Sequence, residues 1–600
     1  MAAGIVAYFN SFSGAFVFDD KKQVLENPRI LQLWPPWPAL GARRPVVELS
    51  LAVNHAIGEF DTTGYHAVNL AVHILAGLTL FGIVRRTLLR PQLHERFASS
   101  APWLALAVAL VWVVHPLQTQ SVTYIIQRSE SMMGLFYLLT LYCAIRGADS
   151  AHRRLWFVAA VLSCASSMGS KAVAVTAPIV ILLYDRTFLA TSFRELINKR
   201  WPLYAGLAAT WGVLLVTGIV RGLFVSPNNV ATVGFAYKGI TPLQYAATQP
   251  GAILHYLRLA LWPWPLCLDY GWPVARSADE IVIPALLLLA LVAATIWALV
   301  RKPPFGFVGL WFLLILAPTS SIVPIRDPVF EHRMYLPLAA IVVLAVLAAH
   351  RVLTIAASEL RSSDRTRVVL SSVLLVAVTA VLTAATAARN RDYESDLGMW
   401  RDVVRKRPDN PRGYAGVGAV LFNQEGDLDE AIRYLRKAIE LGPMDGRVHR
   451  NLGTALLERG DVDAAIDAYG ETARRFPRDA ESWLDLGDAY FTRGDLARAV
   501  ENYRKAVRLD ADLERACRNL GVALMRVGMS EEGLAMLRRA VELDPDNAAT
   551  HFTFGGALYN VGRFEEAIAA FEAAVKLEPG NSEAQAALNR ARQAAPGQQP

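Results

Sequence analysis

Residues 451–479 read NLGTALLERGDVDAAIDAYGETARRFPRD, and the same pattern recurs through the last third of the chain. Small residues mark it at a constant spacing of 34, in one series at Gly426, Gly460, Gly494, Gly528 and Gly562, and in another at Gly453, Gly487, Gly521 and Gly555. One period has room for two helices and their turns. We therefore predict stacked helix pairs that approach closely where the small residues meet.

A period of 34 with small residues at helix contacts is typical of tetratricopeptide repeats (TPRs). We predict five TPR repeats over residues 411–581, a connecting helix or partial repeat at 391–410, and a capping helix with a polar tail at 582–600. Stacked repeats form a curved groove. We expect this groove to bind an extended peptide or a partner protein, and the alternative is a stabilising appendage without a ligand.

The chain before residue 390 is too apolar for a soluble domain. The whole chain of 600 residues is 54% hydrophobic, with a mean hydropathy of +0.29. Long apolar runs lie near 66–84, 101–114, 132–145, 155–168, 172–184, 202–220, 281–300, 305–317, 335–349 and 368–388. Several of them approach the ~20 residues that cross a bilayer as a helix, and the others are shorter. The fold class predicted is all-α, a polytopic membrane domain over 1–390 followed by a TPR solenoid.

Other partner classes find no support in the composition. The basic excess lies in the apolar half, where cytoplasmic loops account for it, and no basic cluster alternates with aromatics as in nucleic-acid binding. The four cysteines form no CxxC pair, so neither a zinc site nor a disulfide framework is predicted.

Lys and Arg in the loops predict the topology. The basic loops at 85–96, 146–154, 186–200 and 351–367 are expected in the cytoplasm. The run at 244–262, interrupted by Pro250-Gly251, is either a span or a re-entrant helix. If it is re-entrant, which we favour, residues 19–65, 319–334 and the TPRs face outward; if it crosses, everything after it is inverted. Residues 1–18 are too short to span and lack the basic start of a signal peptide, so a truncated first helix is expected.

Adjacent carboxylates follow this first apolar stretch, in Phe18-Asp19-Asp20. Two neighbouring acids at a membrane surface can hold a divalent metal ion, or one can act as a base when its neighbour raises its proton affinity. The alternative is a helix N-cap in a solvated loop.

Polar clusters also stand at the predicted outer ends of three later apolar runs. They are His115 with Arg128 and Glu130, then Lys171, then Glu331-His332-Arg333-Met334-Tyr335. Arginine can bind a lipid phosphate bidentately, and an intramembrane or interfacial lysine suggests function. Interfacial anchoring, snorkelling and a surface loop lysine are the alternatives. Together with the acids, these residues suggest group transfer from a phosphorylated lipid to an acceptor outside the cytoplasm.

The order of these motifs resembles a known family. Five segments are similar to the loops of GT-C glycosyltransferases, in particular the transmembrane-and-TPR O-mannosyltransferases. They are Phe16 to Asp20 with Asn27-Pro28, His115-Pro116 through Gln127-Arg128 and Glu130, Lys171 with Pro178, Leu261 to Tyr270, and Glu331 to Pro337. The resemblance implies a polyprenyl-phosphate sugar donor, often carrying mannose, and inverting transfer to Ser or Thr of an acceptor protein on the non-cytoplasmic side.

Residue roles follow from the resemblance. It makes Asp19 or Asp20 the catalytic base or an acceptor-positioning acid, and it makes Arg128, Lys171, His332 and Arg333 the candidates for the lipid phosphate; His115, Glu130, Glu331 and Tyr335 are further candidates. Gln120 and Ala172 depart from the acids common in relatives.

Two other functions are weighed against the transferase. A non-catalytic membrane-anchored TPR scaffold would need only one span. A transporter of lipid-linked sugars would place charges at mid-span, whereas these stand at span ends. The short loops are typical of a bacterial inner membrane, with the TPRs on the periplasmic side.

Overall fold

The computed structural model describes residues 1–225, 232–360, 363–442 and 446–595. Throughout these ranges the regular elements are helices, and the only β contact is a single bridge between Val233 and Ile325. The chain divides into two compact units, one from Met1 to Arg407 and the other from Pro408 onward. The all-α prediction with a C-terminal TPR solenoid is confirmed; the expected polar tail at 596–600 lies outside the described residues.

The first unit, called here the membrane unit, contains nineteen helices within the described residues. They are α1 (Ala2–Tyr8), α2 (Trp37–Leu40), α3 (Pro45–Gly58), α4 (Thr62–Leu88), α5 (Pro91–Phe97), α6 (Ala101–Val113), α7 (Thr119–Val122), α8 (Arg128–Asp149), α9 (Arg153–Ser170), α10 (Ala177–Phe188), α11 (Phe193–Ala209), α12 (Trp211–Val216), α13 (Ile219–Phe224), α14 (Pro242–Leu261), α15 (Ala278–Arg301), α16 (Pro303–Leu316), α17 (Pro337–Glu359), α18 (Asp364–Asn390) and α19 (Asp396–Lys406).

Five helical segments in the described ranges are long and apolar enough to cross a membrane: Thr62–Leu88, Ile125–Asp149, Ala278–Arg301, Pro337–Glu359 and Asp364–Tyr393. The helices α5 and α6 meet at 95° and add a sixth if the pair forms one broken span. The chain is therefore a multi-pass membrane protein. The ambiguous run at 244–262 forms one helix, α14, which contains Pro250 and begins with a capping box at Thr241 and Gln244.

The second unit, called here the TPR unit, consists of five helix pairs and a last helix. The pairs are α20 (Pro411–Val420) with α21 (Leu428–Leu441), α22 (Gly446–Arg459) with α23 (Val462–Arg475), α24 (Ala480–Arg493) with α25 (Leu496–Leu509), α26 (Glu514–Arg526) with α27 (Ser530–Leu543), and α28 (Ala548–Asn560) with α29 (Phe564–Leu577), and α30 (Ser582–Ala594) follows.

The two glycine series have different structural causes. Gly494, in the turn between the helices of one pair, has a φ of +85°, a left-handed conformation that L side chains rarely adopt. Gly487, inside α24, faces the ring of Tyr503 on α25, and a Cβ at this glycine would lie 2.5 Å from that ring. The first series thus permits the turn, and the second permits the close approach of paired helices.

The boundary between the two units follows Arg407, inside the segment 391–410 that the sequence predicts as a connecting helix or partial repeat. Helix α19, predicted as a connector or partial repeat, packs into the membrane unit, where Val403 and Trp400 are buried. Its Asp402 carboxylate lies 3.2 Å from the Arg389 guanidinium and 2.7 Å from the Lys406 ammonium group. These buried ion pairs connect α19 to the end of α18.

We expect Gly487→Ala to destabilise the TPR unit by about 1 kcal/mol or more, because the packed Tyr503 ring must move to admit a methyl group. Gly470→Ala is the matched control, since Gly470 lies inside α23 with open space around its Cα; this change should stabilise by up to about 1 kcal/mol. Hydrogen exchange of peptides from α22 to α25 in the full-length protein measures both. Equal effects of the two substitutions would contradict the packing argument.

Candidate active site

The loop that carries the two adjacent acids is held in a strained conformation. Phe18 has a φ of +48°, which is rare for a residue with a side chain. Its N–H donates to Asp396 Oδ1 at 2.9 Å, and its ring packs edge-on against Trp400 of α19. Asp396 also forms an ion pair with Lys21. Because several contacts fix this residue, the strain persists, as it commonly does at functional sites.

Asp20 lies at the centre of this loop and is completely buried. Its Oδ2 accepts the N–H of Val17 at 3.1 Å, and its Oδ1 accepts the N–H of Ile126 at 2.7 Å. Burial raises the pKa of Asp20 to about 8, although the two N–H donors oppose that shift. The carboxylate therefore connects the first outer loop to the segment before α8.

Asp19 has the more accessible position of the two acids. It is partly exposed, and its backbone N–H donates to the Tyr124 hydroxyl at 3.0 Å. The charge of its carboxylate acts on Arg44, so the two side chains belong to one electrostatic cluster. The structure thus separates the two acids that the sequence left equivalent: Asp19 keeps part of its surface exposed, whereas the Asp20 carboxylate is buried and accepts backbone N–H groups.

The cationic side of this cluster is centred on Lys171, which follows α9 in an extended conformation. Its Nζ lies 2.5 Å from the Glu130 carboxylate of α8 and donates to Gln127 Oε1 at 3.3 Å. Burial lowers the pKa of Lys171; Glu130 opposes this change, and the positive charges of Arg44 and Arg333 add to it.

Arg44 is the residue that the sequence analysis missed. It directly precedes Pro45 at the start of α3, is partly exposed, and interacts electrostatically with Glu130 and Asp19. The pair Arg43-Arg44 in a predicted outer loop was the available signal, because cationic residues are depleted there.

His332 contributes a neutral imidazole to the same region. Its Nδ1–H and its backbone N–H both point at Gln120 Oε1, at 3.0 and 2.8 Å, which leaves Nε2 as the acceptor nitrogen. Its ring stacks on Phe330 at 5.0 Å. Burial lowers the pKa of His332 well below its ordinary value, and the nearby cations Lys171 and Arg333 act in the same direction.

The two predicted arginines are engaged by the protein itself. Arg128 is completely buried; it donates to Asn69 Oδ1 at 2.6 Å and to the carbonyls of Tyr65 and Ser50 at 2.9 and 3.3 Å. Arg333 donates to the carbonyls of Pro328 and Asp327 at 2.6 and 2.7 Å. Both side chains hold backbone carbonyls of neighbouring segments, so the geometry favours positioning roles over direct phosphate contact.

The remaining candidates hold structural contacts. His115 Nε2 meets the Ala260 carbonyl at 3.2 Å, and burial lowers the His115 pKa to about 4, so the ring is neutral at pH 7. The Tyr335 hydroxyl lies 3.0 Å from His73 Nδ1. Glu331 is completely buried and accepts the Tyr270 hydroxyl at 2.8 Å.

Metal binding was considered for the adjacent acids. Among the described residues, no group of three His, Cys, Asp or Glu side chains is arranged to hold a metal ion. Both Asp20 oxygens already accept backbone N–H groups, so this carboxylate is engaged by the protein itself.

Taken together, these features define a multi-pass membrane protein with a polar cluster at helix ends and a TPR unit. The tetratricopeptide-repeat family is matched at residues 382–446, 450–514 and 524–591, which confirms the repeats predicted from the period.

Over most of its length the chain is similar to proteins named protein O-mannosyltransferases of the TMTC type. Protein O-mannosyl-transferase TMTC4 of Homo sapiens is 25% identical over 72% of this chain and 64% of its own length. The relative F38B6.6 of Caenorhabditis elegans is 22% identical over 74% and 62%, and Tmtc3 of Drosophila melanogaster is 24% identical over 75% and 55%. The resemblance drawn from the motifs is confirmed, and the match spans less than two thirds of each relative.

Solved structures match the TPR unit. MamA is 22% identical, with 28% of this chain and 97% of MamA covered and a TM-score of 0.26. YrrB, described as a TPR protein with an unusual peptide-binding site, is 19% identical, with 32% and 97% covered and a TM-score of 0.28.

We expect Arg128→Met to lower the free energy of unfolding by about 3 kcal/mol or more, because it leaves Asn69 Oδ1 and two carbonyls without their donor. Arg351→Met is the control, since Arg351 is an exposed arginine of α17. Thermal unfolding of the full chain in detergent compares the two. A melting temperature unchanged by Arg128→Met would argue against the positioning role.

Proposed function

We propose that the chain is an integral-membrane GT-C glycosyltransferase that moves a sugar, mannose or another hexose, from a polyprenyl-phosphate donor to Ser or Thr of a protein. The similarity to named O-mannosyltransferases supports the class of reaction. One structural observation supports the proposal for the site: Asp19 keeps part of its surface exposed, whereas the adjacent Asp20 is completely buried and accepts two backbone N–H groups.

In this mechanism Asp19 is the general base. The acceptor hydroxyl oxygen forms a bond to the anomeric carbon on the face opposite the phosphate, and its proton passes to the Asp19 carboxylate. The bond from the anomeric carbon to the phosphate oxygen breaks with its electron pair, so the configuration inverts. Polyprenyl phosphate leaves, and Asp19 then returns its proton to water.

The cations stabilise the charge that develops on the leaving phosphate. Lys171 is suited to this role because its ammonium group already forms an ion pair with Glu130. An arriving phosphate can share this ammonium group, which is therefore paired both before and after the phosphate binds. Arg44 approaches the same region from the start of α3. His332, held neutral by its surroundings, offers Nε2 as a hydrogen-bond acceptor for the sugar hydroxyls.

Asp20, Arg128 and Arg333 act as positioning residues in this proposal. Asp20 fixes the backbone before Asp19 to the segment before α8, and the two arginines hold backbone carbonyls of neighbouring segments. An enzyme of this kind gains rate from such preorganisation, because the reacting groups do not need to be reoriented during the reaction.

The remaining parts of the proposal concern topology and acceptor. We place the candidate site on the non-cytoplasmic side, which in a bacterial inner membrane is the periplasm, because the basic loops after α4 and α17 favour the cytoplasm. The TPR unit binds the acceptor or a partner protein in its groove, the usual role of stacked repeats.

A non-catalytic scaffold remains the second candidate. Gln120 supports it, because the resemblance to the transmembrane-and-TPR O-mannosyltransferases implies an acid at this position, whereas this chain has an amide that accepts hydrogen bonds from His332. The two candidates differ in one measurable product, which is glycosylated protein outside the cytoplasm.

We expect intact-mass spectra of exported proteins to show added hexose when the gene is present, and to lose it with Asp19→Asn, which removes a base that contributes about 10²-fold or more. Glu26→Gln is the matched control, because Glu26 is an exposed acid of the same loop. Membrane insertion of all variants is checked by their yield. Hexose that is absent with the wild-type chain would favour the scaffold, and full transfer by Asp19→Asn would exclude that residue as the base.

The pH profile of transfer offers a separate check. Because burial and the nearby cations hold the pKa of His332 well below its ordinary value, the ring stays neutral in the pH range where an ordinary histidine titrates, and stability lost by charging it appears only at lower pH. Wild type and His332→Gln should therefore give parallel profiles in this range, measured with purified protein and a synthetic donor. An ionisation step that disappears in His332→Gln would show that the ring titrates.

A further inference from the structure

A groove of about 420 Å³ lies between α4 and α8, away from the candidate active site. The side chains Leu75, Leu78 and Phe81 of α4 and Leu139 of α8 form its apolar walls, and Arg85 and Arg86 stand at one end. Asn69, which binds Arg128 of the site, precedes Arg85 by sixteen residues on the same helix, or about 24 Å at the rise of an α-helix. The groove mouth and the candidate site are therefore at opposite ends of α4.

Gly82 and Tyr142 form the floor of the groove. At Gly82 a Cβ would lie 2.8 Å from the ring of Tyr142 on α8, so the absence of a side chain lets that ring enter the groove floor. The Arg86 guanidinium lies 5.7 Å from the centre of the same ring. This cation–π contact holds one positive charge over the mouth.

The charges at the mouth are not neutralised by the protein. Among the described residues, no ion pair joins Arg85 or Arg86 to a carboxylate. The neighbouring acid Asp149 is bound by both terminal nitrogens of Arg90, at 2.7 and 3.0 Å. Arg85 is exposed and Arg86 half-buried, so both can reach an anion outside the groove.

The occupant must match an apolar channel that ends in two cations. We propose that this groove binds an anionic phospholipid of the bilayer, with one acyl chain along α4 and its phosphate against Arg85 and Arg86. Helix α4 is one of the membrane-crossing segments, so the walls face hydrocarbon and the mouth lies at its edge. Basic pockets between transmembrane helices on the cytoplasmic side bind anionic headgroups by the same combination of forces. The inference depends on the spanning helix and is independent of the transferase proposal.

Native mass spectrometry of the full-length protein in detergent tests the proposal, with phosphatidylglycerol and phosphatidylcholine of identical acyl chains as probes. We expect phosphatidylglycerol to bind preferentially, and R85Q/R86Q to reduce that preference by about fivefold for each arginine removed, the effect of one basic side chain near anionic lipid. Arg351 and Arg365 are exposed arginines outside the groove, so R351Q/R365Q is the matched control and should leave the preference unchanged.

A second variant separates the acyl chain from the headgroup. Leu78 is 46% exposed, so L78W should fold while filling the channel, and it should reduce occupancy by both lipids. Three results would each overturn the proposal. The wild type could bind phosphatidylglycerol and phosphatidylcholine equally, R85Q/R86Q could keep the full preference for phosphatidylglycerol, or inorganic phosphate could displace the lipid completely. The last outcome would show a phosphate site in which the groove has no part.

Discussion

The buried carboxylate of Asp20 is the contact on which the arrangement of the candidate site depends. An ionisable group with no exposed surface needs hydrogen-bond donors, and here they are the backbone N–H groups of Val17 and Ile126. These two residues belong to outer segments more than a hundred positions apart. Their common acceptor fixes both segments, and the strained Phe18 lies between Val17 and Asp19 in this fixed loop. The same requirement explains why Arg128 is bound by carbonyl oxygens rather than left for a ligand.

The two ends of the membrane unit must come together for this loop to form. Asn390, at the end of α18, donates to the Ala7 carbonyl at 2.9 Å and to Asn10 Oδ1 at 2.8 Å, and it accepts the Thr123 hydroxyl. Asp396, a few residues later, holds Phe18. Contacts between residues nearly four hundred positions apart cost much loop-closure entropy before they form. The last span and α19 therefore belong structurally to the candidate site.

Sequence patterns predicted the TPR helices and the membrane spans, but they did not predict which side chains meet at the candidate site. The spacing of Gly487 and its equivalents predicted the TPR helices because that contact is local, and the apolar runs predicted the spans because length and hydropathy suffice. The pairing of Lys171 with Glu130, and the engagement of Arg128 by Tyr65, depend on which helix ends become neighbours, and no local pattern records that. Helix α19 illustrates the limit: it follows the repeat pattern, yet buried ion pairs place it in the membrane unit.

The neutral side chain of Gln120 affects the charge balance around His332, to which it is hydrogen-bonded. Lys171 and Arg44 lie close enough to lower the pKa of the imidazole together with its burial, so like charges are held near one another at a cost in free energy. A carboxylate at position 120 would relieve part of that cost, whereas the amide accepts the same two hydrogen bonds without adding negative charge. The cations therefore stay only partly compensated, by Glu130 and Asp19. In the proposed reaction the donor phosphate would supply the missing negative charge, and by linkage its binding would raise the proton affinity of Lys171 and His332 again. The departure at Gln120 is thus compatible with a site that becomes electrostatically balanced when an anionic ligand is bound.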